Sequence, residues 1–296
     1  MTQISLLDGG MGQELVKRSG DSPSPLWATQ VMIDHPGLVQ SIHADFFAAG
    51  ATVATTNTYA VLRDRLVPTG QEEKFEDLHK AALAEAQAAQ AAHGFGRIAG
   101  SIGPLGASYR ADIHPAYEEA VDLYGEIAEL IGPECDVILC ETVVSVLHAR
   151  SVLDAAKRSG KPVWLAFTVD DEDGAYLRSG EPLRDVLSIA KDADAVLANC
   201  SAPEAMPAAL DILAQTGLPF GAYANGFTQI TKDFLKNSPT VDSLSARRDM
   251  GPAIYADHVM NWVQQGATLV GGCCVISPEH IAEISERLRT AGHTIV

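Results

Sequence analysis

The sequence is poor in basic residues and has no long apolar run. It carries 21 Lys and Arg against 38 Asp and Glu, a formal net charge of −17. A surface of that sign repels nucleic-acid phosphates and anionic membranes, which argues against both as partners. No apolar stretch approaches the roughly 20 residues that cross a bilayer. The first residues also lack the basic and apolar regions of a secretory signal, so we expect a cytoplasmic protein, of an oligomeric state that the sequence leaves open.

Several catalytic motifs are missing as well. There is no His-x-His pair of the kind that barrel metallohydrolases use, and no His-Glu-x-x-His. The glycines at 9, 10 and 12 do not have the G-x-G-x-x-G spacing of a dinucleotide site. No apolar run ends in a lysine, which a Schiff-base aldolase would need. The five cysteines are odd in number, which argues against a disulfide framework and predicts reduced thiols.

What the chain does have is eight short apolar runs separated by segments of helical periodicity. The runs span residues 4–7, 51–56, 97–101, 136–140, 163–169, 195–199, 220–224 and 267–270. Pro36 is predicted in the first turn of the first periodic segment, and Ser277 with Pro278 at the start of the last. Alternating strands and helices predict a parallel sheet. Eight repeats without a linker, over 296 residues, favour one domain (1–296) of the α/β class, closed as a single (β/α)8 TIM barrel; an open doubly wound sheet is the alternative.

Polar side chains follow most of the predicted strands. In a barrel the carboxyl ends of the strands open into one mouth, where the chemistry sits. The residues predicted to meet there include Asp8, Thr55, Ser101, Glu141, Asn199, Cys200, Tyr223, Cys273 and Cys274.

Three of these residues are cysteines, and zinc is the metal that their thiolates favour. Three protein ligands leave a fourth position open, as in catalytic zinc sites. Ordinary buried cysteines are the plainer interpretation, and we prefer it for Cys135 and Cys140. A structural zinc would need a fourth ligand, and none is evident. Because metal binding deprotonates a thiol, such a site suits a thiol substrate. Asp8 and Glu141 could bind its ammonium group, and backbone amides near Gly9 its carboxylate, which describes an amino acid with a thiol.

Taken together, these residues resemble the zinc-dependent homocysteine S-methyltransferase family, which includes betaine–homocysteine methyltransferase and a domain of cobalamin-dependent methionine synthase. The resemblance runs along nearly the whole chain. Its motifs are Asp8-Gly9-Gly10-Met11-Gly12, Thr55-Thr56-Asn57-Thr58-Tyr59, Gly103-Pro104-Leu105-Gly106, Glu141-Thr142, Ser179-Gly180-Glu181-Pro182-Leu183, Asn199-Cys200 and Gly271-Gly272-Cys273-Cys274.

The resemblance implies roles for eight of these positions. Cys200, Cys273 and Cys274 would be the ligands of Zn²⁺, with homocysteine sulfur in the fourth position. The amino-acid end of homocysteine would lie against Asp8, Gly9, Thr55 and Glu141, and Tyr59 would approach the metal when substrate is absent. Two positions depart from the family pattern, since Val275-Ile276 follow the cysteine pair and Ser201 follows Cys200.

The methyl donor is the part that the resemblance leaves open. The chain has no extra length for cobalamin or folate modules, so a small onium donor is expected, S-methylmethionine first and S-adenosylmethionine second, with methionine as product. The alternatives are a betaine-type donor and a homocysteine-activating subunit that works with a separate corrinoid protein. Trp27 and Tyr109, in predicted loops 11–34 and 107–117, are donor candidates, although ordinary packing is the preferred interpretation. The long segment 227–250 is expected to be functional or mobile.

Overall fold

The computed structural model describes residues 1–22, 24–228, 230 and 244–296. Its strands form one parallel sheet in the order β2-β3-β4-β5-β6-β7-β8-β1-β9. The strands are β1 Gln3–Leu6, β2 Val53–Thr55, β3 Arg97–Ile102, β4 Val137–Val143, β5 Val163–Phe167, β6 Ala195–Asn199, β7 Phe220–Ala224, β8 Leu269–Gly272 and β9 Thr294–Ile295. The ring closes between β1 and β2, where the Thr52 amide donates to the Leu6 carbonyl at 2.7 Å and the Asp8 amide to the Val53 carbonyl at 3.1 Å.

The structure therefore confirms the eight-stranded barrel and rules out an open doubly wound sheet. Each of the eight predicted runs overlaps a strand, with ends shifted by up to three residues. The sequence reading missed β9, which pairs with the outer part of β1 at Gln3 and Ile4. Two residues are too short a run for hydrophobic periodicity to detect.

The helices follow the strands around the outside of the barrel. They are α1 Met11–Ser19, α2 Ala28–Asp34, α3 Leu38–Ala48, α4 Arg63–Leu66, α5 Phe75–His93, α6 Tyr117–Ile131, α7 Val146–Ala156, α8 Leu187–Ala190, α9 Met206–Leu213, α10 Pro252–Gln264 and α11 Pro278–Thr290. The last helix begins as predicted, with Ser277 and His280 forming a capping box and Pro278 in the first turn.

Two local predictions about the helices were wrong. The segment 11–34 was expected to be a loop, but α1 and α2 occupy most of its described part. Glycines and prolines interrupt its apolar pattern, and packing against neighbouring helices decides the fold there. Pro36 lies in the turn before α3, whose N-cap is Gly37 in the left-handed region at φ 90°.

The apolar core has two layers. The larger layer lies between the strands and the helices, and the smaller one fills the interior of the barrel. The interior residues are Leu7, Val53, Ala99, Val137, Leu139, Trp164, Ala166, Ala195, Leu197, Tyr223 and Leu269. Within this layer the Arg97 guanidinium lies 5.2 Å from the Trp164 ring, and Cys273 packs against the same cluster. The barrel is thus packed solid, and chemistry is confined to its mouth.

None of the helices in the described ranges combines the length and the apolar character that a membrane crossing requires.

Candidate active site

A cavity of about 260 Å³ opens at the carboxyl ends of the strands. Its wall is built from the segments that follow β1, β2, β3, β4, β6, β7 and β8. All eight residues predicted for the site line this cavity: Asp8, Gly9, Thr55, Tyr59, Glu141, Cys200, Cys273 and Cys274. The structure thus brings together the whole set that the sequence singled out.

Three sulfur atoms converge in this cavity. Cys200 follows β6 and is 5% exposed, while Cys273 and Cys274 follow β8 and are half-buried. The Cys274 Sγ lies 4.0 Å from the Sγ of Cys200 and 4.0 Å from that of Cys273. Cys200 and Cys273 are joined as a disulfide in this structure.

The three sulfurs fit a metal once they are reduced. Their Sγ atoms lie within 4.8 Å of one another, the spacing of ligands around one ion. Within the described ranges no fourth His, Cys, Asp or Glu completes the group. Burial raises the pKa of the Cys274 thiol to about 11, although a hydrogen bond with Gln13 lowers it. A thiolate at this depth therefore needs a bound cation. A soft metal with one position left for a ligand fits this donor set.

The backbone around the cavity is strained. Five non-glycine residues in the described ranges have positive φ: Trp27, Tyr109, Thr142, Cys200 and Val275. Four of them line the cavity, and Val275 follows the cysteine pair directly. Left-handed backbone costs a non-glycine residue of order 1–3 kcal/mol and persists where the surrounding structure enforces it. Cys200, whose φ is 48°, is the one of these five that belongs to the sulfur cluster.

Asp8 is a buried carboxylate at the end of β1. Its Oδ2 accepts a hydrogen bond from the Thr55 amide at 2.8 Å, and it is 2% exposed. Burial raises the pKa of Asp8 to about 8, against the lowering effect of the Thr55 hydrogen bonds, and the charge of Glu141 raises it further. His43 of α3 lies 3.8 Å from Oδ2, but burial lowers the pKa of this imidazole to about 3. The histidine is therefore neutral and does not neutralise Asp8.

Glu141 is the second buried carboxylate, inside β4. Its Oε1 accepts from the Ser101 hydroxyl at 2.5 Å and its Oε2 from the Tyr223 hydroxyl at 2.9 Å. Burial raises the pKa of Glu141, although both hydrogen bonds lower it. In the described part of the chain neither Glu141 nor Asp8 has a Lys or Arg partner. Two buried carboxylates without a protein cation predict a cationic ligand.

Tyr59 is an aromatic residue of the cavity wall. Its hydroxyl lies 2.8 Å from the Ser108 Oγ, and the Arg65 guanidinium lies 5.6 Å from its ring centroid. Burial raises the pKa of Tyr59, although Arg65 lowers it, so the phenol stays protonated and can donate a hydrogen bond.

Several neighbours of the predicted residues carry part of the site. Tyr223 and Ser101 were noted as strand ends without a role, and each donates to Glu141. Sequence gave no signal for Arg65, which lies on the short helix α4, or for Ser108, which lies in the segment after β3. Trp27 and Tyr109, for which ordinary packing was preferred, both line the cavity. Of the segment 227–250, residues 229 and 231–243 lie outside the described part, while Phe227 and Leu244 contribute to the wall.

A close approach of two backbones fixes the floor of the cavity. A Cβ atom on Gly9 would lie 2.2 Å from the Ile276 carbonyl oxygen and 2.8 Å from the Phe46 ring. We expect Gly9→Ala to destabilise the fold by about 1–3 kcal/mol and to raise the KM of the thiol substrate, because Asp8 and Cys273 would be pushed apart. Urea unfolding and steady-state kinetics would measure both. Gly251→Ala is the matched control, since nothing lies within 4 Å of a Cβ there, and an equal loss in both variants would contradict the argument.

Known proteins resemble this chain along its whole length. The family model for homocysteine S-methyltransferases matches residues 5–288. The chain is 30% identical over 308 residues to the homocysteine S-methyltransferase of Escherichia coli strain K12, covering 96% of this chain and 95% of that protein. It is 26% identical over 311 residues to homocysteine S-methyltransferase YbgG of Bacillus subtilis strain 168, covering 97% and 95%.

The fold is shared with a solved structure too. The metallated form of the homocysteine methyltransferase MmuM from Escherichia coli matches this chain with a TM-score of 0.79 and 28% identity. That match covers 97% of this chain and 96% of the other.

Proposed function

The chain belongs to the homocysteine S-methyltransferase family, and from that premise we propose that it transfers a methyl group from a small onium donor to the sulfur of homocysteine, giving methionine. One observation carries the proposal. Three cysteine sulfurs line the same cavity as two buried carboxylates, Asp8 and Glu141, which have no Lys or Arg partner among the described residues. A ligand with a thiol at one end and an ammonium group at the other would match both, the thiol at the metal of the three cysteines and the ammonium group at the two carboxylates.

The amino-acid end of homocysteine is assigned to the β1 and β4 side of the cavity. Its ammonium group would lie between Asp8 and Glu141, which supply the missing negative partners. Its carboxylate would lie at the amides of Gly9 and the first turn of α1, because helix N-termini bind anions. In the described ranges the Gly9 amide has no acceptor. Thr55 holds Asp8 in place through its own amide, and Tyr59 closes the other side.

Zn²⁺ would be held by Cys200, Cys273 and Cys274, and it supplies acidity that keeps a substrate thiol deprotonated at neutral pH. The protein contributes three sulfurs on rigid strand ends. Two of them must be reduced first, since Cys200 and Cys273 are joined here. In the transfer itself, the donor's S–CH₃ bond breaks as the new bond to homocysteine sulfur forms. The leaving group departs as a neutral thioether, so alignment by the cavity wall is the main remaining requirement.

S-methylmethionine is the donor we favour, with S-adenosylmethionine second. Homocysteine and the donor share a cavity of about 260 Å³, and S-methylmethionine, which has no adenosine group, needs the smaller part of it. The carboxylates that line it, Asp8, Asp64 and Glu141, match cationic ligands. A betaine-type donor and a separate methyl-corrinoid protein remain the alternatives.

We further propose that residues 1–296 act as one domain and that small molecules are the only partners of the reaction. The cytoplasmic location stays a prediction.

A donor panel tests this proposal. Reduced, zinc-loaded protein is incubated with homocysteine and, in turn, S-methylmethionine, S-adenosylmethionine, betaine and methylcobalamin, and methionine is quantified. We expect the highest kcat/KM with S-methylmethionine. Methionine from methylcobalamin alone would favour the corrinoid alternative, and methionine from betaine alone the betaine-type one.

The fate of the thiol can be followed separately in cobalt-substituted protein, which has a visible thiolate-to-metal band. Homocysteine is expected to change that band, whereas homoserine, with a hydroxyl in place of the thiol, is not. The same response to both compounds would count against binding through sulfur.

A further inference from the structure

Arg65 is the one Lys or Arg among the described residues that line the cavity. It lies on α4, which follows the β2 end of the barrel, and its side chain is half-buried. Its Nη2 donates to the Pro104 carbonyl at 3.2 Å, and its guanidinium lies 5.6 Å from the Tyr59 ring centroid. In the described part of the chain it forms no ion pair with a carboxylate.

The neighbouring arginine on the same helix behaves differently. Arg63 donates to both carboxylate oxygens of Glu126 and also pairs with Glu72 at 3.3 Å. It is not among the residues that line the cavity, and it cross-links α4 to α6 and to the turn at Glu72 that precedes α5. Most arginines of this acidic protein are paired in the same way. An arginine that faces the cavity with only a carbonyl and a ring as contacts has donors left for a ligand.

We propose that Arg65 binds the carboxylate of the methyl donor and so selects donors that carry one. The inference rests on the proposed function, and it specifies which group of the donor the site recognises. Homocysteine's own carboxylate is assigned to the Gly9 side, on β1 and α1. Arg65 contacts the ring of Tyr59, and the exposed Pro68, three residues later in the chain, lines the same cavity. A donor that enters after homocysteine would therefore extend toward Arg65.

The contacts of Arg65 suit it to this task. The Tyr59 ring and the Pro104 carbonyl restrict the guanidinium while leaving other N–H groups free to donate. A restricted guanidinium binds a carboxylate through two parallel hydrogen bonds, which a lysine cannot reproduce. The charges agree as well. With homocysteine's ammonium group between Asp8 and Glu141, Asp64 remains on the cavity wall for the donor's cationic groups, and the donor's anionic group faces Arg65.

The test compares two donors in three proteins. S-methylmethionine and its decarboxylated analogue, (3-aminopropyl)dimethylsulfonium, differ only in the carboxylate. Wild type is expected to prefer S-methylmethionine in kcat/KM by roughly 10- to 150-fold, the range for a charge-assisted contact. In Arg65→Gln that preference is expected to fall to about threefold or less, with the KM for homocysteine within about twofold of wild type. Arg65→Lys is expected to lie between, because it keeps the charge but loses the paired hydrogen bonds.

Arg63→Gln is the control, because that residue shares α4 but faces Glu126. It is expected to keep the donor preference of wild type, and circular dichroism would show that all variants are folded. A full wild-type preference in Arg65→Gln would overturn the inference while leaving the proposed function intact. A rise in the KM for homocysteine alone would also overturn it, by assigning Arg65 to the other carboxylate. If wild type methylates homocysteine from no onium donor, the proposed function fails and the inference with it.

Discussion

Serine at position 200, 273 or 274 is expected to empty the metal site and to abolish methyl transfer. The three sulfurs lie within 4.8 Å of one another, and no other ligand in the described ranges can replace one of them. Serine keeps the size of the side chain but offers a hydroxyl, which is a poor ligand for a soft metal. Loss of a partner outside the ligand sphere already costs about 10- to 100-fold. For a ligand itself we expect a loss of roughly 1,000-fold or more in kcat/KM, with zinc content falling from about one per chain toward zero.

Elemental analysis of reduced, dialysed protein gives the metal content, and methionine formation gives the activity. Cys135→Ala is the matched control, because that thiol is buried in the core near Ile131 and lies outside the metal group. It is expected to keep its zinc. The barrel has its own core, so we expect circular dichroism to survive chelation. Full metal retention in all three serine variants would remove these cysteines from the site, and collapse of the fold on chelation would indicate a structural metal.

Asp8→Asn is expected to weaken homocysteine binding and, at the same time, to stabilise the protein. A lost charge-assisted contact costs about 1.5–3 kcal/mol, or roughly 10- to 150-fold in affinity. Asparagine can still accept from the Thr55 amide through its own oxygen, so the local structure is preserved. What disappears is a buried carboxylate whose desolvation the empty site does not offset.

The stabilisation depends on pH in a defined direction. The pKa of Asp8 is about 8 in the folded protein and 3.8 as its model value, so between these values the folded state holds a proton that the unfolded chain releases. The contribution of Asp8 to the free energy of unfolding is therefore fully present below about pH 4 and is lost as the pH rises through 8. Because one pKa unit is worth about 1.4 kcal/mol, the variant's advantage should grow from near zero at pH 4 to a few kcal/mol at pH 8. Urea unfolding at several pH values measures it.

Asp64→Asn separates this effect from a general change of charge, because Asp64 lines the same cavity but is exposed. We expect its stability to follow the wild-type pH curve. If Asp8→Asn binds homocysteine as tightly as wild type, Asp8 does not hold the ammonium group. If the free energy of unfolding depends on pH in the same way in Asp8→Asn and Asp64→Asn, the burial of Asp8 is not the reason that stability falls as the pH rises.

Much of the site could be predicted because of how a barrel is built. Strand ends are marked in sequence by apolar runs, and closure brings all of them to one mouth. That is why the sequence alone predicts one cavity for Asp8 and Cys274, which are more than 260 residues apart. Glu141 was found in the same way, although β4 continues two residues beyond it.

Residues outside that pattern were missed for a physical reason. His43 and Arg65 lie on helices. From the sequence alone, a polar residue on a helix is predicted to be exposed to solvent. Only the packing of α3 against the barrel shows His43 as fully buried beside Asp8. The turn of α4 likewise decides that Arg65 faces the cavity while Arg63 faces Glu126.

The sequence by itself determined the fold class, the family and the types of group in the site, because these depend on periodicity and on residues at strand ends. Tertiary structure alone decided the states of those groups. Burial raises the pKa of Asp8 and of Glu141, since desolvation depends on everything packed around a carboxylate. It also decided the pairing of Cys200 with Cys273 and the direction in which Arg65 faces. The positions of residues along the chain indicate which of them lie near a strand end. Their contacts are defined only in the folded structure.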